Sequence, residues 1–122
     1  MGTSKSVEPQ GVYVGGVSVF SGRPDPTWTV APESARRLEA LWDASEKYAG
    51  ARPSAPVLGY RGCFLREGDE REWFAYGGVV TLRQKGASES RRDEGRTFEK
   101  TLLSSAPEGV VPSPLLDAEL RA

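Results

Sequence analysis

The chain has 122 residues, 27% of them charged, and a formal net charge of -1. That size fits one domain, able to bury roughly two-thirds of the surface its unfolded chain would expose. The arginines are interleaved with acids, as in Glu89-Ser90-Arg91-Arg92-Asp93-Glu94. This argues against nucleic acid and anionic membrane as partners, since both demand clustered cations.

No run approaches the ~20 apolar residues of a spanning helix. The start, Met1 to Ser6, lacks the apolar core of a signal peptide, and residues 1–9 read as a tail before a single domain over 10–122. Gly2 and Ser6 fit the loose myristoylation pattern, but a flexible polar start is the expectation. Cys63 is the sole cysteine, so no internal disulfide can form, which suits a reducing cytoplasm. Abundant Arg, Ala, Gly and Pro, with no Ile or Asn, match a GC-rich bacterial genome.

Gly11 to Phe20 reads as a strand whose alternation slips at Gly15-Gly16, the signature of a bulge or of a close backbone approach. Ser21 to Pro26 is a turn by its Gly and Pro content. Trp28 to Val30 resumes an extended path. Pro32 suits the first turn of a helix, and Ala35, Leu38, Leu41, Trp42 and Ala49 recur at helical spacing up to a stop at Gly50. Val57 to Arg66 and Glu72 to Lys85 read as strands of an antiparallel hairpin joined by a charged loop, with a second bulge at Gly77-Gly78. Gly86 to Arg92 reads as a polar loop. Thr97 to Ser105 is a short helix with Phe98 and Leu102 on one face, and Ser113-Pro114 opens a last helical turn or two. The fold class is α+β: a small antiparallel sheet with helices on one face, whose edges are its exposed weakness and its docking opportunity.

Several chemistries are missing. Without histidine neither a Ser-His-Asp nor a Cys-His arrangement is available. One Cys and no His make a zinc site implausible. The glycines form no dinucleotide or phosphate-loop pattern, and Asp69 and Glu70 lack calcium-loop spacing. Cys63, inside the apolar run Cys63-Phe64-Leu65, reads as a buried thiol. The chain therefore reads as a non-enzyme with no cofactor and no metal.

Two segments carry binding potential. In Phe20-Ser21-Gly22-Arg23-Pro24-Asp25-Pro26-Thr27-Trp28, two prolines stiffen a loop that presents the planar fork of Arg23 and the flat surface of Trp28. The competing reading places Trp28 in the core and pairs Arg23 with Asp25 or a backbone carbonyl. In Leu58-Gly59-Tyr60-Arg61-Gly62, Tyr60 and Arg61 point to opposite faces of a strand between glycines; the competing reading is an ordinary strand with Tyr60 half-buried. Trp42 and Trp73 read as core. An extended peptide docked along an open sheet edge would use main-chain hydrogen bonds for affinity and alternate side chains for specificity.

These two blocks, with Phe98-Glu99-Lys100-Thr101-Leu102-Leu103, resemble the small peptide-binding proteins of crocagin-type pathways in myxobacteria, across roughly residues 12–116. The first block is the more specific. The resemblance implies a protein that holds a ribosomally made precursor peptide for a modifying enzyme; it transfers no ligand-contacting residue. The expected function is thus a peptide-binding accessory protein, with Arg23, Trp28, Tyr60 and Arg61 as contacts and the precursor peptide and a modifying enzyme as partners. The first alternative is a stoichiometric inhibitor or immunity-type protein that caps a folded partner, and the second is an enzyme or an obligate enzyme subunit. A homodimer formed through the exposed edge would compete with peptide docking.

Overall fold

In the computed structural model the described residues are 12–20, 25–55 and 59–121. The tail over 1–9, the beginning of the first strand at Gly11, the turn residues 21–24 with Arg23, and Val57-Leu58 lie outside them. Six strands form one antiparallel sheet: β1 (Tyr13–Phe20), β2 (Thr27–Val30), β3 (Gly59–Glu67), β4 (Arg71–Tyr76), β5 (Val79–Gln84) and β6 (Ala87–Arg92), in the order β2-β1-β3-β4-β5-β6. Three helices join them: α1 (Pro32–Ala44), α2 (Thr97–Ser104) and α3 (Ser113–Arg121). The α+β class is as expected. No helix among the described residues is long and apolar enough to cross a membrane.

The helices lie on one sheet face. α2 packs on β3 and β4 and is flanked by α1 and α3. Alternation sends Tyr13 and Val17 of β1, Cys63 and Leu65 of β3, and Trp73 and Ala75 of β4 to that face, where they meet Ala35, Leu38 and Trp42 of α1 and Phe98, Leu102 and Leu103 of α2. Trp42 and Trp73 are both buried. α1 ends at Ala44, well before Gly50, because the chain must turn there to pair with β6. Tyr48 N–H donates to Ser90 O at 2.9 Å and Arg92 N–H to Glu46 O at 2.8 Å. Asp93, itself buried, tethers the start of α2: its two carboxylate oxygens accept the N–H groups of Phe98 and Glu99 at 2.7 and 3.0 Å.

The glycine pairs behave differently from the sequence expectation. Gly15 and Gly16 hold their register on both sides, opposite Trp28 and Thr27 of β2 and Leu65 and Phe64 of β3. They serve packing instead of bulging. A Cβ on Gly15 would stand 2.8 Å from the Trp28 indole, and one on Gly16 2.1 Å from the Phe64 ring. One large ring therefore lies flat across β1 on each face. The register slips further along: Val17 faces Cys63 but Val19 faces Tyr60. Ser18 alone thus opposes Arg61 and Gly62, a bulge on β3 that Gly62 accommodates at φ 115°.

Gly77-Gly78 is not a bulge either. It is the two-residue turn between β4 and β5, with φ 61° and 92°, the left-handed values a tight hairpin requires. Lys85-Gly86, at φ 51° and 81°, repeats the device between β5 and β6. The segment read as a polar loop, Gly86 to Arg92, is therefore mostly strand.

Candidate functional site

A six-stranded open sheet has two edges, and they differ. β6 is partly closed, since Ser90 O and Arg92 N–H are taken by the segment after α1. β2 is not. Val17 N–H donates to Pro26 O at 3.1 Å, so Pro26, Trp28 and Val30 turn their backbone groups toward β1. By the antiparallel alternation Thr27 and Thr29 turn theirs outward. Both residues are exposed, and among the described residues no backbone group reaches them. Asp25 holds the approach to this strand by accepting Val19 N–H at 3.0 Å.

Beside the β2 edge runs a groove of 570 Å³ between the sheet and α1, walled by Val12, Thr29, Val30, Pro32, Ala35 and Ala40. Among the described residues Val12 is the exposed large hydrophobe, at 63% exposure. Arg36, Glu39 and Asp43 also line the groove. An unpaired strand edge flanked by an apolar trough is the arrangement that accepts an added strand and alternate side chains from it. No protein family, curated protein or solved structure matches this chain. The site must therefore be read from its own chemistry.

The residues singled out from sequence are not gathered there. Arg23 lies outside the described residues. Trp28 is on β2 but faces inward; it is 6% exposed, and its indole N–H donates to Ser105 Oγ at 2.9 Å. It forms the floor behind the edge rather than a surface. Tyr60 is half-buried on the helix face, where its hydroxyl donates to the Glu99 carboxylate. Arg61 sits on the opposite sheet face in a separate cleft. Sequence reasoning missed the groove because its residues come from two separate stretches, 12–13 and 29–43, and nothing local marks Pro32, Ala35 and Ala40 as neighbours of Val12.

Two partly buried polar clusters brace the scaffold behind this edge. In one, Tyr13 donates its hydroxyl to Glu39, and Arg71 bonds Glu39 at 3.1 Å while lying 4.6 Å from the Trp73 ring centroid. In the other, Glu99, fully buried on α2, accepts both Arg96 Nε at 3.1 Å and Arg96 Nη2 at 3.0 Å as well as Tyr60. Cys63 Sγ lies 3.8 Å from Glu99 O, and burial, reinforced by the Glu99 charge, pushes the thiol pKa up. Among the described residues no group of His, Cys, Asp and Glu is placed to hold a metal ion.

Burial raises both Tyr13 and Tyr60 well above the ordinary tyrosine value of 10.0, with the partner carboxylates adding to the shift. A raised folded pKa means stability that is complete below 10.0 and lost as the pH climbs above it. Alkaline titration followed by ultraviolet absorbance should show these two phenols ionising only as the fold opens, in step with the loss of circular dichroism. Phenolate formation for all four tyrosines well before unfolding would contradict this.

Proposed function

We propose that this protein binds an extended peptide, which adds to the free edge of β2 and sets alternate side chains into the groove beneath α1. The observation that carries the reading is the outward-facing N–H and C=O of Thr27 and Thr29 beside that apolar trough. Val12, Val30, Pro32, Ala35 and Ala40 give the groove an apolar wall, so it suits aliphatic residues on the peptide. The resemblance of the Phe20–Trp28 block adds the class of peptide: a ribosomally made precursor held for a modifying enzyme. The chain acts by binding, and its own side chains perform no reaction.

The edge offers a clean test. Thr29 N–H faces away from β1, so Thr29→Pro removes a docking donor and leaves the β1–β2 ladder intact. Random linear peptides displayed on phage would be selected on the immobilised protein, and the recovered peptides titrated by calorimetry. Binding should shift the Thr27 and Thr29 amides in NMR spectra and protect them from hydrogen exchange. Thr29→Pro should weaken the affinity about tenfold or more, the scale of a lost buried hydrogen bond with its partner left unpaired. Peptides that bind without touching those amides, or with equal affinity to Thr29→Pro, would refute the reading.

A further inference from the structure

The bulge in β3 has a chemical consequence on the sheet face away from the helices. With two residues opposing Ser18, both Tyr60 and Cys63 keep the helix face, and Arg61 is turned to the other one. There a cleft of 530 Å³ lies between the strands and the segment that follows α1. Its walls include the rings of Phe74 and Tyr76, the Thr81 side chain, and Pro53 from the overlying segment. Arg61 and Arg52 both line it, and among the described residues no acidic one does.

The guanidinium of Arg61 is the telling group. Its Nε is buried and has no hydrogen-bond partner among the described residues. Among the described residues neither Arg61 nor Arg52 pairs with a carboxylate, although Arg66, Arg71, Arg83, Arg91 and Arg96 all do. Burying a donor on a cation without an acceptor is unfavourable. An anion entering the cleft would meet the terminal fork of the same guanidinium and neutralise the unpaired cation with a charge-assisted bond.

We propose that this cleft binds an organic carboxylate with a flat apolar body. The fork of Arg61 suits both carboxylate and phosphate, but the surroundings favour the former. Phosphate sites usually add backbone N–H groups from a helix N-terminus or a glycine-rich nest. Among the described residues no helix contributes to this cleft, and its walls combine aromatic and aliphatic surface. Its volume is that of a small-molecule site. The inference is independent of peptide docking, because the cleft and the β2 groove share no lining residue.

Benzoate is the probe, with neutral benzamide and inorganic phosphate as comparisons, against protein carrying nitrogen-15 in its arginines. Benzoate should shift the Arg61 Nε–H resonance saturably, benzamide should leave it in place, and phosphate should require higher concentrations. Arg61→Gln should weaken benzoate binding at least about tenfold, as expected for losing a charge-assisted pair. Arg52→Gln, an exposed change that spares the fold, should weaken it to a smaller degree. Thr29→Pro should have no effect on it. An Arg61 resonance indifferent to benzoate, equal responses to benzoate and benzamide, or tighter binding of phosphate would each overturn the proposal. So would full benzoate affinity in either arginine variant.

Discussion

Glu99→Leu is expected to lower stability by about 3 kcal/mol, the consequence of breaking a buried ion pair. Glu99 is fully buried, and its carboxylate is the shared acceptor for the Arg96 guanidinium and the Tyr60 hydroxyl. Leucine fills the same space and accepts nothing. Tyr60 then holds an orphaned hydroxyl. Arg96 retains Glu119 at 2.8 Å, which keeps the loss near the lower end of the range. Arg96 also sits at φ 57°, a left-handed conformation that a non-glycine residue holds only when its surroundings enforce it. Urea unfolding should show a lower midpoint at an unchanged slope. The double variant Glu99→Leu with Tyr60→Phe should recover part of the loss, because it removes the hydroxyl that the single variant leaves orphaned. Loss of less than about 1 kcal/mol in the single variant, the ordinary scale of substitutions, would mean that the cluster does not brace the fold.

Gly62→Ala should be comparably damaging, at about 3 kcal/mol, from backbone strain and overpacking together. Its φ of 115° is unsuited to a side chain, and a Cβ would stand 2.8 Å from the Ala75 carbonyl oxygen and 2.6 Å from the Phe74 ring. The carbonyl belongs to the β3–β4 ladder and cannot retreat without unpairing it. Gly16→Ala has a different cause and a different remedy. Its backbone is ordinary, and the obstacle is the Phe64 ring at 2.1 Å. Shrinking that ring should therefore rescue it: Phe64→Leu combined with Gly16→Ala should be more stable than the sum of the two single losses by about 1 kcal/mol or more. No such partner can rescue Gly62→Ala. If Phe74→Leu restored it fully, the bulge conformation would not be the constraint.

The open β2 edge, the Arg61 cleft and the Glu99 cluster are three consequences of one sheet. The helices and the polar clusters cover one face. The bulge sends Arg61 to the other. The short β2 strand ends the sheet without a cover from the described chain.

What could be read from residue order was local. The apolar spacing of Ala35, Leu38 and Trp42 is sufficient to indicate a helix, because a period near 3.6 has one economical explanation in a folded chain. The Ser113-Pro114 start is similarly local, and so are the strands built from Val, Phe and Trp. β6 was illegible. Ala87-Ser88-Glu89-Ser90-Arg91-Arg92 has no apolar alternation, and it becomes a strand because β5 on one side and Glu46 to Tyr48 on the other supply its hydrogen bonds. The end of α1 at Ala44 follows from that same pairing. Glycine pairs are ambiguous for a related reason. Gly15-Gly16 and Gly77-Gly78 are identical dipeptides, yet one lies under two aromatic rings and the other turns a hairpin. Only the partners across the ladder distinguish them. For the sites, residue types pointed to Arg61 as a cation with unusual neighbours. Which face it occupies, whether Trp28 looks outward, and which edge stays open depend on registers between strands distant in sequence. Such registers are set by packing in three dimensions, and no local pattern encodes them.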